Sequence, residues 1–195
     1  MNKMKITKRH ARKVLAVVKH GLSNGLGDPE PGKMCVEAAV CFALGLPHGD
    51  DPNCVSQAVR AFKMGLNDAN WPSNKARSKG MAKIAIAQLG SDGIDDVLFA
   101  KELARLTIMR IVPIALRSAA KLHTDAIHKK ALLSAAKLCE SEGTATAASA
   151  ASEAAWAARA ASAASVKVLR IAADIGVEAL KVAGSPGCKW LDIVE

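Results

Sequence analysis

Alanine most narrows what this chain can fold into. The 195 residues include 38 alanines but only six aromatic residues, three Phe and three Trp with no Tyr. A sheet protein draws its core from β-branched and aromatic side chains, which fit a pleated, half-buried surface. Alanine instead has the strongest helix propensity, and its small side chain lets helix axes approach closely. The composition therefore predicts an all-α fold. The alanines are densest in Thr144–Ser165, where disorder competes with helix as a reading of low complexity. Helix is preferred because of the propensity and because Trp156 supplies one large anchor. Stripes such as Ala148 with Ser152, or Ala157, Ala161 and Ser165, would let a second copy approach, so a homodimer is expected.

Hydrophobic spacing divides the rest of the chain. Residues 7–20 form an amphipathic helix with Ala11, Val14, Leu15 and Val18 inward. A Gly- and Pro-rich loop, Gly21–Gly32, leads to a short helix over Met34–Leu44 that ends at Gly45. The next helix is expected over Asn53–Leu66, burying Val55, Val59, Phe62 and Leu66. Ser73 or Asn74 caps another that runs to Leu89 on Met81, Ile84 and Ala85. Later helices start near Asp95, Thr107 and Thr124, with Pro113 marking a first turn or a kink. The helix of Thr124–Glu142 is expected to bury Ile127, Ala131, Leu132, Ala135 and Leu138. The Ala-rich helices occupy 144–183, and Trp190, Leu191, Ile193 and Val194 dock the tail. No linker stands out, so residues 1–195 are expected to form one domain, a compact bundle or array of about eight to nine helices.

Charge is unevenly placed. The net +9 arises mainly in the first twenty residues, where Lys3, Lys5, Lys8, Arg9, Arg12, Lys13 and Lys19 occur without an acid. Clustered cations attract phosphate or acidic surfaces more effectively than the same charges dispersed. Lys5, Lys8, Arg9, Arg12, Lys13 and Lys19 are thus the candidate binding surface. The partner is expected to be an acidic protein, with nucleic acid as the alternative. No stacking aromatics accompany these cations, and their apolar stripe lacks the aromatic anchor of a membrane-surface helix. No run of about 18 apolar residues and no signal-peptide core is visible, which leads to the expectation of a cytoplasmic protein without a membrane role.

Two cysteines share a local pattern: Cys35-Val36 with Ala39-Val40, and Cys54-Val55 with Ala58-Val59. The pattern reads as the same helix start used twice. Cys35 follows Lys33 and opens a helix, features that lower a thiol pKa. A cysteine enzyme would then use Cys35 as nucleophile and His48 or His20 as base, oriented by Glu37 or Asp50. Core packing is the simpler reading of a small apolar residue. A metal centre would need Cys35, Cys41, His48 and Cys54 to converge, but Cys35 and Cys41 lie about 240° apart round a helix. Asp50-Asp51 and the group Asp92, Asp95 and Asp96 read as helix caps, and no metal or other cofactor is expected.

The Ala pairs around Trp156 and Arg159, followed by Leu169–Leu180 and Ser185-Pro-Gly-Cys-Lys-Trp-Leu191, resemble small Ala-rich helical proteins of bacteria and their phages. Some of these are described as immunity proteins. The resemblance covers about the last fifty residues and carries no functional residue onto this chain. It implies a toxin-immunity or phage counter-defence setting. Together these readings lead to a non-enzymatic protein that binds a macromolecule.

Overall fold

A computed structural model describes residues 5–149 and 166–194, and every described element is helical. Apart from one isolated bridge between Gly27 and Met34, no β-pairing occurs among the described residues. The protein is all-α. The Ala-rich stripes expected at 150–165, the Trp156 anchor and the self-association assigned to them lie outside the described residues.

Helix α1 spans Lys8–Lys19, begins with Thr7 accepting from the His10 amide, and buries Ala11, Val14, Leu15 and Val18. Helix α2 spans Val36–Leu44 and stops where Gly45 takes the left-handed conformation. It is apolar nearly all round and buried on nearly every side, as such a composition requires. Helix α3, Gln57–Asn67, is capped by Ser56. Helix α4, Asn74–Ala87, is capped by Ser73. A 3-10 turn at Ser91–Gly93 precedes α5, Asp96–Arg110. Then come α6, Val112–Leu122, α7, Ala126–Glu142, and α8, Val166–Val182. Residues 145–149 are also helical. A 3-10 segment, Pro186–Val194, ends the described chain. Pro113 falls in the first turn of α6, where its missing N–H costs nothing.

The repeated Cys-Val pattern has two outcomes. Cys35 is itself the cap of α2, whereas Cys54 lies in a turn and Ser56 caps α3 two residues later. Hydroxyl is the better acceptor, so the second helix starts at the serine.

The chain divides into two compact units, one made of the described residues through Ala100 with those from Ala173, the other spanning Lys101–Ala172. In the first unit α1 packs against α2 and α4, and α4 against Pro186–Val194. Close approach decides one residue here: a Cβ on Gly80 would overlap the Trp71 ring. That indole is buried and donates to the Leu66 carbonyl at 2.9 Å. In the second unit α6 and α7 pair through Leu116, Ala119, Ala120, Leu132, Ala135, Ala136 and Cys139. The expected inner face of α7 is thereby corrected. Leu132 and Ala135 are buried, but Ile127, Ala131 and Leu138 are exposed, and Ala136 and Cys139 take the inner positions. Small residues line the seam because they allow the two helices to approach closely.

Candidate functional site

Two features stand out, both in the first unit. One is a basic surface on α1 and α4. Arg9, Arg12, Lys13 and Lys19 are exposed opposite the buried stripe of α1, and Lys5 precedes them, also exposed. Lys8 is half-buried and ion-paired with Asp192 at 2.5 Å. Helix α4 extends this basic character. Lys75, Lys79 and Lys83 recur every fourth residue and are all exposed, while neither helix contains an acid. Lys75 Nζ donates to the Lys19 carbonyl at 2.9 Å, and Leu22 N to the Asn74 carbonyl at 3.2 Å. The end of α1 therefore meets the start of α4, and the cationic stripes lie on neighbouring helices. Arg9, Arg12, Lys13, Lys19, Lys79 and Lys83 have no ion-pair partner among the described residues.

The second feature is a cavity of about 250 Å³ lined by Gly25, Leu26, Cys35, Val36, Glu37, Asp50, Met64, Asn67 and Asp68. The 21–35 loop, the start of α2, the turn before α3 and the end of α3 build it. Gly27 holds the loop closed at the bridge to Met34. Its φ is +68°, and a Cβ there would run into the Lys33 carbonyl. Asn67 ties three pieces together, accepting from Val36 N at 3.2 Å and donating to Ser23 O at 3.0 Å and Asp68 Oδ1 at 2.9 Å.

Beside the cavity is a buried ion pair, Glu37 on α2 with Lys63 on α3. Glu37 is 1% exposed and Lys63 0%. Lys63 Nζ contacts Glu37 Oε1, and beyond that pairing neither the carboxylate nor the ammonium has a hydrogen-bond partner among the described residues. Burial pushes the Glu37 pKa up against the pull of Lys63, and pushes the Lys63 pKa down against the pull of Glu37. Each charge is thus under pressure to neutralise, the expected response of ions removed from water.

The residues expected to serve a cysteine enzyme separate. Cys35 is buried in a small cluster with Met34 and Ala38, with Val17 packed against it, and its Sγ accepts from Ala38 N at 3.3 Å. His48 is exposed, with Nε2 2.9 Å from the Gly27 carbonyl, and no hydrogen bond joins the two side chains. The expected activation of Cys35 is overturned. Burial drives its pKa up, the cap amides only partly offset this, and Lys33 pairs with Glu30 at 2.9 Å instead. Glu37 and Asp50, the expected orienters of His48, are taken by Lys63 and by Arg60, whose Nη2 lies 2.7 Å from Asp50 Oδ1. Burial likewise pushes Cys54 up and Cys41 up to about 12, so the thiols are protonated at neutral pH. Among the described residues no group of three or more His, Cys, Asp or Glu is placed to hold a metal ion.

Sequence reasoning misses the Glu37–Lys63 pair, although a signal is present. Lys63 occupies the position between Val59 and Leu66 on the inward stripe of α3, where the buried face demands an apolar residue. The spacing predicts Phe62 there, and Phe62 is instead half-buried, edge-on to Phe99 with ring centroids 6.3 Å apart. No family model matches the chain, and comparison with curated proteins and with solved structures likewise finds no match.

Proposed function

We propose that this protein binds an acidic macromolecule through the joint basic surface of α1 and α4. The carrying observation is that two neighbouring helices bear exposed cations and no acid on either. Unpaired surface cations contribute little to folding, whereas their fields add at the distances over which partners meet. Lys5, Lys8, Arg9, Arg12, Lys13 and Lys19 supply one side of the surface; Lys75, Lys79 and Lys83 supply the other. Lysine predominates, and a point charge on a flexible stem suits attraction to a polyanion better than two-pronged recognition of one group. No helix among the described residues is long and apolar enough to cross a membrane. An acidic protein is the preferred partner, and a toxin-immunity or counter-defence setting is one in which such binding would serve.

The test replaces Arg9, Arg12, Lys13 and Lys79 by Gln and follows association with polyglutamate and with a mixed-sequence DNA duplex across a salt series. The wild type should associate fastest at low salt, because screening shortens to about 8 Å near physiological ionic strength. The variant should be slower, most markedly at low salt, with its melt moved by no more than about 0.5 kcal/mol. Preference between the two probes assigns the partner class. Equal rates for wild type and variant at every salt concentration would remove the surface from the function.

A further inference from the structure

The basic surface meets an acid that belongs to the chain itself. Lys8, in the first turn of α1, is held by Asp192 at 2.5 Å, a contact between residues 184 apart in sequence. Asp192 lies on the closing 3-10 segment, which is fastened to α4 at its start. There Ser185 Oγ donates to the Ala87 carbonyl, and a Cβ on Gly187 would run into the Ile86 carbonyl. The segment packs against α1 as well as α4, and Asp192 follows a break in its helical geometry at Trp190. The Lys8 ammonium, with a smaller pull from Arg12, holds the Asp192 carboxyl below its ordinary value. The carboxylate therefore acts on two members of the surface.

Both side chains stay open to water, 42% exposed for Lys8 and 60% for Asp192. An ion pair so exposed adds little to stability, because water weakens the attraction and two side chains lose freedom to make it. What it alters is the field of the surface: one carboxylate cancels one cation where an acidic partner would bind. We propose that Asp192 is a resident competitor for the α1–α4 surface, occupying Lys8 until a carboxylate of the acidic partner takes its place. The exchange keeps Lys8 paired, returns Asp192 to water and requires only a turn of an exposed side chain. This inference rests on the binding role proposed for the surface and adds that the surface is partly blocked by its own chain.

Association of the full chain with dye-labelled polyglutamate, followed by stopped-flow anisotropy at low salt, tests this. Asp192→Asn should speed association about twofold, the effect of one unit charge about 10 Å away in water. The gain should fade as salt rises. Glu140→Gln is the control: it also removes one exposed carboxylate from an ion pair, that with Arg117, and should gain less. Lys8→Gln should slow association more in the Asp192→Asn background than in the wild type, because only there is Lys8 open to the partner from the outset. No gain from Asp192→Asn, an equal gain from Glu140→Gln, or an equal loss from Lys8→Gln in both backgrounds would each overturn the proposal. If the fourfold charge variant still associates slowly in that case, only the competitor falls. If that variant also matches the wild type, the binding surface falls with it.

Discussion

Removing Lys63 alone should reveal what the buried pair contributes. Lys63→Met keeps most of the stem's volume and leaves the Glu37 carboxylate buried without its cation. Breaking a buried pair from one side costs about 3–5 kcal/mol, a large part of a typical domain stability of about 5–15 kcal/mol. The sign of the pH dependence follows from Glu37, whose folded pKa lies above its ordinary value because of burial. Without Lys63 it rises further. Below the unfolded value of about 4.3 both states hold the proton and the cost disappears. As pH rises above that value, the variant loses up to about 1.4 kcal/mol per unit until the folded carboxyl also ionises. Glu37→Gln should behave as the mirror image. Lys63 is lowered by burial, so the cost is absent above the unfolded lysine value of about 10.4 and grows as pH falls. The double variant Glu37→Gln with Lys63→Met should lose both dependences and be more stable at pH 7 than either single variant. Urea melts followed by tryptophan fluorescence between pH 4 and 10 measure all three. Two single variants with small, pH-independent losses would refute the reasoning, because they would mean that neither group is desolvated as the fold requires.

Cys35→Ser should change stability by less than about 1 kcal/mol in thermal melts, because serine is a stronger helix cap than the thiol it replaces. The sequence alone suggests a loss of about 1–3 kcal/mol from an unpartnered hydroxyl, and the Ala38 amide removes that cost. Gly80→Ala should destabilise by about 1–3 kcal/mol despite alanine's higher helix propensity, since the new methyl collides with Trp71; an unchanged or raised melting temperature would contradict this. Asp125→Ala should cost about 0.5–2 kcal/mol, because the carboxylate accepts from Ile127 N at 2.7 Å and His128 N at 3.1 Å at the start of α7. The check is a denaturant melt with circular dichroism, in which an unshifted midpoint would dismiss the cap.

Local rules make much of the fold legible in the amino-acid sequence. Alanine excess with few aromatics indicates helices, and the stripe of Ala11, Val14, Leu15 and Val18 gives α1 its inward face. Ser73 announces the start of α4 through ordinary cap chemistry. Errors arise where burial depends on a distant segment. Ile127 and Leu138 are apolar yet exposed, since the partner of α7 reaches only the side bearing Leu132, Ala135, Ala136 and Cys139. Lys63 cannot be read as buried without Glu37 opposite it, and these residues come from different helices. The basic character of the first twenty residues is plain in the sequence, but nothing there joins the second cationic stripe to it. That joining depends on the docking of α4 beside α1. The cavity is still less legible, because loop, turn and two helices build it together.

Arg77 marks the place where several chain segments are tied. Its side chain is buried in α4, with Nε 2.7 Å from the Asn67 carbonyl and Nη1 2.9 Å from both the Leu22 carbonyl and Asn74 Oδ1. One rigid fork therefore fastens the exit of α1, the last turn of α3 and the entrance of α4. Burial lowers its pKa, but guanidinium remains protonated throughout the range in which proteins function. The consequence is a division of labour between two kinds of interior charge. Glu37 and Lys63 can surrender theirs as acidity changes, whereas the Arg77 knot keeps the same donors at every physiological pH. Loosening between α2 and α3 can thus begin at the titratable pair while the three-way junction holds, which would order the steps by which this part of the chain comes apart.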